Sequence, residues 1–233
     1  MTDRLDLISA GAAKGVVEAL AERFREAHGA TIAATFGAVG AMKEQLLAGA
    51  RCDAILLTQP LLEALAREGY VREATIRPLG RVFTGIAVRS GDAAAAIANP
   101  ESLRETLRTA TSVYVPDPEK STAGVHFMTI LAALGLVEEV AARLKPRPNG
   151  AIAMADLARA TDERPIGCTQ VTEMLYTPGV SLAGVLPKAF ELATLYSAAA
   201  ATGAANAALG ERFVELVSGP ESSALRAAGG FEV

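Results

Sequence analysis

The sequence contains no tryptophan and few other aromatic residues, which argues against a stacking platform for nucleic-acid bases or sugars. Lysine and arginine form no continuous stripe and the net charge is −4, so a nucleic-acid partner is not expected. No stretch reaches the roughly 18 uninterrupted apolar residues of a membrane span, so membrane insertion is not expected either.

Cysteine and histidine are equally scarce, with two residues of each. Cys52 and Cys168 lie beside apolar runs without a CxxC motif, so two buried thiols are expected rather than a disulfide or a redox pair. His28 and His126 add no ligand spacing, so no metal site is predicted. The opening MTDRLDL lacks the pattern of a secretion signal, which favours a cytoplasmic location as sequenced, or a periplasmic one if a signal was removed.

Strand and helix patterns alternate along the chain. LDLIS, TIAATF and CDAILLT are each followed by helical periodicity, which predicts a parallel sheet with helices on both faces. Farther along, DPEKSTAG is expected to be a polar loop before the helix VHFMTILAALG, and KPRPNG a proline-rich turn. Two long extended stretches are candidates for the paired crossovers of a hinge between two lobes: RVFTGIAVRSG and LATLYSAAAA. The pattern is equally consistent with one continuous sheet.

Four strand ends share a design in which small or hydroxyl residues come before a helix. They are SAGAAKG (9–15), FGAVGA (36–41), EKSTAGVH (119–126) and CTQVTE (168–173). A helix N-terminus carries unpaired N–H groups and partial positive charge, and small residues let a ligand oxygen approach them. Helix capping explains any single turn, but their repetition at strand ends favours a ligand site. None matches a nucleotide-binding motif, so no cofactor is predicted.

The segment ISAGAAKGVVEALAERFREAHGATIAATFGAVGAMKEQLLAGARCDAILLT resembles the opening of type 2 periplasmic solute-binding proteins, in their molybdate-binding-like branch. The similarity continues in STAGVHFMTILAALGL, IGCTQVTEML and FVELVSGPESSALRAAGGFEV. It implies an α/β fold of two Rossmann-like lobes, residues 1–82 with 197–233 and residues 83–196, joined by a two-strand hinge. It further implies that a small anionic solute, an oxyanion or organic carboxylate, binds in the cleft between the lobes, for delivery to an ABC-type importer permease.

The same resemblance implies ligand contacts at the turn residues. They are Ser9, Ala10, Gly37, Ala38, Val39, Thr58, Ser121, Thr122, Ala123, Thr169 and Gln170. GAVG has no hydroxyl where molybdate binders usually have a serine, and their tyrosine has only Tyr176 or Tyr196 as a match, so a small organic anion is favoured over molybdate. Lys14, Arg81 or Lys120 would be the counter-charge, although each is also explained as a solvated surface charge.

A cytoplasmic enzyme or small-acid sensor on the same fold is the alternative function. His126, Glu173 and Asp117 lie near turns of the second lobe and are the candidates for a proton-transfer isomerase without a cofactor. His126 is expected in the first turn of a helix, where the field favours a neutral imidazole, but packing under the turn is the simpler explanation. Asp53 is expected to cap a neighbouring turn. A nucleophile elbow is absent, which disfavours a hydrolase.

Overall fold

The computed structural model describes residues 3–233, in which strands and helices alternate. The strands are β1 Asp3–Ala10, β2 Ala30–Gly37, β3 Ala54–Thr58, β4 Arg77–Arg89, β5 Ser112–Pro116, β6 Leu144–Arg147, β7 Pro165–Gln170, β8 Val180–Val185 and β9 Ala193–Ala200. The helices are α1 Lys14–His28, α2 Val39–Leu47, α3 Gln59–Arg67, α4 Pro100–Thr109, α5 Thr122–Ala133, α6 Val137–Ala141, α7 Gly150–Ala158, α8 Val171–Leu175, α9 Ala207–Ser218 and α10 Ser223–Ala228.

The chain divides into two compact α/β units. The first takes in the described residues up to Val82 together with Thr194–Val233, and the second is Phe83–Ala193. The predicted boundary at residue 197 falls three residues into the returning segment of the first unit. The chain passes from one unit to the other within β4 and at the start of β9, which are the two extended stretches identified in the sequence.

The sheet of the first unit has the strand order β2-β1-β3-β9. β1 pairs in parallel with β2, from Asp3 opposite Ala30 to Ala10 opposite Gly37, and on its other side in parallel with β3. β9 is antiparallel to β3. Because β1, β2 and β3 run in the same direction, their carboxyl ends lie along one edge of the sheet, where ligands bind in open α/β sheets.

Helix α9 packs tightly on this sheet. Phe213 of α9 meets Phe24 of α1 edge to face, with ring centroids 5.5 Å apart. A Cβ atom at Gly210 would lie 2.3 Å from the carbonyl oxygen of Asp53, so only glycine allows this close approach. The buried Asp53 carboxylate accepts a hydrogen bond from the backbone N–H of Asn206, the residue before α9, at 2.7 Å. Asp53 therefore caps a neighbouring segment, as expected.

The second unit has the strand order β8-β4-β7-β5-β6. β4 is antiparallel to both β7 and β8, whereas β5, β6 and β7 are parallel to one another. Side chains of one strand alternate between the two faces. Ile86 and Cys168 pack in the cluster that contains Phe127 of α5, whereas Ala87 packs with Met154 of α7. Helix α5 therefore covers one face of this sheet and α7 the other.

Two local predictions were wrong. KPRPNG contributes its first three residues to β6, which pairs with β5 at the end of the strand order, where a proline costs no ladder hydrogen bond on the open side. Helix α5 begins at Thr122 rather than after Gly124. Gly124 lies inside the helix because its packing demands glycine there: a Cβ atom would come within 2.2 Å of the carbonyl oxygen of Asp117.

Candidate functional site

The predicted residues of the first unit meet at one edge of its sheet. Ala10 and Gly37 are direct partners at the carboxyl ends of β1 and β2. Ser9 is opposite Leu56 of β3, and Thr58 ends that strand two residues later. Strand register thus brings together the ends of three segments that are separated in the sequence.

Two helices, α2 and α3, begin at this edge of the sheet. Helix α2 follows Ala38 and α3 follows Thr58; within the described chain, neither of these cap positions makes a side-chain hydrogen bond to its helix, and neither first turn contains an acidic residue. Their first N–H groups and partial positive charge are therefore not matched by a side-chain cap or acid. The turn after β1 differs from the prediction, because a 3-10 turn, Gly11–Ala13, separates Ala10 from α1.

Ser9 is fully buried, with 0% of its surface exposed. Its hydroxyl donates to the carbonyl oxygen of Ala10 at 2.9 Å. A hydroxyl has one proton and two lone pairs, so Ser9 must turn away from Ala10 to donate to any other oxygen. This rearrangement would be local, since the two residues are adjacent at the end of β1.

Among the predicted counter-charges, Lys14 contacts a residue of β2 near this edge. Its Nζ is 6.0 Å from the ring centroid of Phe36, the residue opposite Ser9 in β2, and 3.7 Å from a carboxylate oxygen of Glu18. Arg81 is exposed and exchanges backbone hydrogen bonds with Glu232 near the end of the chain. Lys120 is exposed in the loop before α5, in the second unit. Lys14 thus supplies a cation on the helix that follows β1.

The loop before α5 is held by its own hydrogen bonds at the point where the helix begins. Asp117 accepts hydrogen bonds from the backbone N–H groups of Glu119 and Lys120, at 2.8 and 3.0 Å, so this carboxylate forms a turn. Ser121 precedes the helix and its hydroxyl accepts from the N–H of Gly124 at a long 3.5 Å. Thr122 and Ala123, also predicted as ligand contacts, are the first two residues of α5. Asp117 therefore has a structural role.

His126 occupies the second turn of α5 rather than the first, because the helix starts earlier than predicted. Its Nε2 atom lies 2.8 Å from the carbonyl oxygen of Phe190. A carbonyl oxygen only accepts, so Nε2 carries the proton in this contact. His126 thus ties α5 to the 3-10 turn Lys188–Phe190.

Thr169, at the end of β7, contacts a buried carboxyl on the α7 side of the sheet. Its hydroxyl donates to Oε2 of Glu173 at 2.5 Å. Glu173 is 5% exposed. Its burial raises its pKa to about 7, although hydrogen bonds from Thr169 and from the backbone N–H groups of Gln170 and Ala151 act in the opposite direction. A Cβ atom at Gly150 would lie 1.9 Å from Glu173 Oε2, so the carboxyl sits directly against the start of α7.

Gln170, the next residue, faces the opposite side. It is 3% exposed, and neither its Oε1 nor its Nε2 has a hydrogen-bond partner among the described residues. The hydroxyls of Thr84 and Thr172 are also buried and without a partner in that part of the chain. An unpaired buried polar group costs about 1–3 kcal/mol, so buried groups of this kind normally bond to protein, to water or to a ligand.

Gln170 and Glu173 were among the residues predicted from the sequence, whereas their neighbours Thr84, Thr172 and Gly150 were not. Thr84 lies within a long extended stretch that carries no functional motif, and only the register of β4 opposite β7 links it to Gln170. Thr172 lies within the quoted turn CTQVTE, where its hydroxyl was an available signal. Gly150 is the last residue of the proline-rich segment KPRPNG and has no local signature of a ligand site.

The described residues also contain two buried cysteines and a cavity away from these turns. Both cysteines are buried and unpaired, as predicted, and burial raises the pKa of Cys52 to about 12. Residues 3–233 contain no group of three metal-ligating side chains and no helix long and apolar enough to cross a membrane. A cavity of about 300 Å³ opens at the start of β7, near Asp92 and Ile166, at the opposite end of that strand from Gln170.

Comparisons with known proteins extend over nearly the whole chain. The model of a family described as bacterial extracellular solute-binding protein matches residues 5–232. A Pseudomonas sp. protein named aconitate isomerase is 28% identical over 204 residues, 84% of this chain and 74% of that protein.

Solved structures share the fold at lower identity. The periplasmic molybdate-binding protein of Azotobacter vinelandii has a TM-score of 0.82 at 17% identity, covering 98% of this chain and 99% of that one. The sulfate-binding protein SubI of Mycobacterium tuberculosis has a TM-score of 0.75 at 17% identity, covering 98% and 86%.

Proposed function

The chain belongs to the bacterial extracellular solute-binding proteins, and from that premise we propose that it binds a small anionic solute, an organic carboxylate or an oxyanion, as the receptor of an ABC-type importer. The main support is the edge of the first unit, where three strand ends meet and α2 and α3 begin without side-chain caps. Such backbone N–H groups bind anions. The structural relatives named for molybdate and sulfate are consistent with this chemistry.

Affinity would come from several weak contacts together. A helix N-terminus contributes about 0.3–1 kcal/mol to an exposed anion and up to about 2 kcal/mol to a partly buried one. Micromolar binding requires about 8 kcal/mol, so it needs several such contacts together. In the first unit the proposed contacts are Ser9, Ala10, Gly37, Ala38, Val39 and Thr58, and in the second unit Ser121, Thr122, Ala123, Thr169 and Gln170.

Calorimetric titration with sulfate, molybdate, citrate and trans-aconitate tests the proposal. Ser9→Ala and Ser121→Ala are each expected to weaken binding by about 1–3 kcal/mol, because each removes a protein hydroxyl that would donate a hydrogen bond to the solute. Ser218→Ala is the matched control, since that hydroxyl also bonds a carbonyl, of Val214 at 2.7 Å, but lies at the end of α9. Wild-type affinity in both test variants would refute the assignment of these residues.

A second candidate function is the isomerisation of a small unsaturated acid without a cofactor. It is favoured by the relative named aconitate isomerase and by Glu173, since an acid or base with a pKa near 7 transfers protons most effectively at neutral pH. In such a reaction Glu173 would take a proton from a carbon next to the double bond, and the proton would return at the other end of the allylic system. His126, held by Phe190, would position the acid.

Nuclear magnetic resonance distinguishes the two functions. Incubation with cis-aconitate in deuterated water should leave the spectrum unchanged if the protein only binds the acid. Appearance of the trans isomer, or loss of the methylene signal by deuterium exchange, would identify an enzyme. That activity should then disappear in Glu173→Gln, while Glu119→Gln, an exposed loop carboxylate, should retain it.

A further inference from the structure

The second unit holds three polar side chains that are buried without hydrogen-bond partners among residues 3–233. They are Thr84, Gln170 and Thr172. Buried polar groups in folded proteins are almost always paired, so a cluster of unpaired ones needs an explanation. Binding of a ligand by these groups is one explanation, and the geometry of the cluster decides what ligand would fit.

Thr84 and Gln170 lie side by side. They are direct partners in the antiparallel pairing of β4 and β7, so their side chains project from the same face of the sheet. Ile86 and Cys168 belong to that same face and pack against α5. Thr169, between Cys168 and Gln170, projects instead toward Glu173 and α7. The unpaired amide and hydroxyl therefore share the α5 face, at the carboxyl end of β7.

A side-chain amide offers one donor group and one acceptor a short distance apart. A fully ionised oxyanion such as sulfate satisfies the Nε2 of Gln170 but presents only negative oxygens to its Oε1. A hydroxyl next to a carboxylate satisfies both, because the carboxylate accepts from Nε2 while the hydroxyl donates to Oε1. In this arrangement the hydroxyl of Thr84, the direct partner of Gln170 in β4, would donate to the second carboxylate oxygen. Since both amide atoms are unpaired, either assignment of nitrogen and oxygen supports the same match.

We propose that Gln170, supported by Thr84, selects solutes that carry a hydroxyl beside a carboxylate, so that the solute is a hydroxycarboxylic acid. This specificity rests on the proposed function as an anion receptor. Glu173 favours the same specificity, because its own carboxyl already lies against the start of α7. There it accepts hydrogen bonds from the N–H groups of Ala151 and Gln170. Recognition in this unit thus depends more on neutral hydrogen-bonding groups than on charge, and neutral groups distinguish a hydroxy acid from a simple oxyanion.

Matched acids that differ by one hydroxyl test the selectivity. Calorimetric affinities are measured for citrate against tricarballylate and for L-malate against succinate at pH 7.5. Leaving buried hydrogen-bonding groups unpaired is costly, so each hydroxylated acid is expected to bind at least about 10-fold more tightly than its partner. Equal affinities within each pair would overturn the proposal, as would a preference for sulfate or molybdate with no binding of the hydroxy acids.

Variants attribute the selectivity to the amide. Gln170→Met keeps the length of the side chain and should reduce the citrate preference to about 2-fold or less, while Gln45→Met, at an exposed position of α2, should keep it. An unchanged preference in a folded Gln170→Met protein would overturn the assignment. If that variant does not fold, Thr84→Val should weaken both members of a pair equally, by several-fold, and no weakening would count against the proposal.

The outcomes separate this inference from the function on which it rests. If the acids bind equally well with and without the hydroxyl, the proposed function as an anion receptor stands and only the hydroxyl specificity is refuted. This result is expected if ordered water satisfies Gln170. Failure of every acid and both oxyanions to bind removes both.

Discussion

Replacing Glu173 by glutamine is expected to remove a large pH dependence from the stability of the protein. The carboxyl is 5% exposed and lies between Thr169 and the start of α7. Burial raises its pKa from 4.5 to about 7 in the folded chain. Between these values the unfolded chain loses the proton while the folded chain retains it, so stability falls as the pH rises. Above about pH 7 both states are ionised and this contribution levels off.

The magnitude follows from the difference between the two pKa values. Each pH unit in that interval changes the free energy of unfolding by about 1.4 kcal/mol, so the change from pH 4.5 to 7 is at most about 3 kcal/mol. Glutamine is nearly isosteric and does not ionise. The free-energy difference between Glu173→Gln and wild type should therefore shift by about this amount, in favour of the variant at the higher pH.

Urea denaturation at half-unit steps from pH 4.5 to 8 measures the effect. Subtracting the wild-type curve from the variant curve cancels the contributions of all other titrating groups. Glu119→Gln serves as the control, because its carboxylate is exposed in a loop. A parallel pair of curves for wild type and Glu173→Gln would refute the reasoning about this buried carboxyl.

Three further predictions concern packing and burial. Gly150→Ala should lower the free energy of unfolding by about 1–3 kcal/mol, since the new Cβ would lie 1.9 Å from a buried carboxylate oxygen. Gly124→Ala should cost about 3 kcal/mol, because its Cβ would meet backbone carbonyls at 2.2 and 2.6 Å. Gly203→Ala is the control for both by urea denaturation, since nothing lies within 4 Å of its Cβ position, and a comparable loss there would contradict the steric argument. Cys52 and Cys168 are buried and their thiol pKa values are raised, so a thiol reagent at pH 8 should modify them only after unfolding, and rapid labelling of the native protein would contradict this.

Much of the candidate site in the first unit could be predicted from the sequence. A strand, a few small residues and a helix form a local signal, and parallel strands must end at the same edge of their sheet. The positions of Ala10, Gly37 and Thr58 follow from that signal alone. The hydrogen bond from the Ser9 hydroxyl to Ala10 does not follow from that signal, because it depends on how the end of β1 is buried.

In the second unit, the sequence predicted a ligand turn at CTQVTE but not the surroundings of its individual side chains. Neighbouring positions in CTQVTE have opposite environments: Thr169 meets a carboxyl, and Gln170 is left unpaired on the other face. The helix that contains His126 was predicted to begin too late, since Gly124 is a poor helix former and its place inside α5 depends on contact with Asp117.

The order of strands and helices and the small-residue turns were determined by the sequence itself, because hydrophobic periodicity and the residues that start and stop helices are local properties. The same local pattern left a hinge between two units and one continuous sheet equally open. Only tertiary structure decided that Thr84 stands opposite Gln170, that Glu173 is buried against Gly150, and that a proline-rich segment joins a sheet edge. These outcomes depend on pairing and burial between segments distant in the chain, and no local pattern encodes the free energy of such contacts.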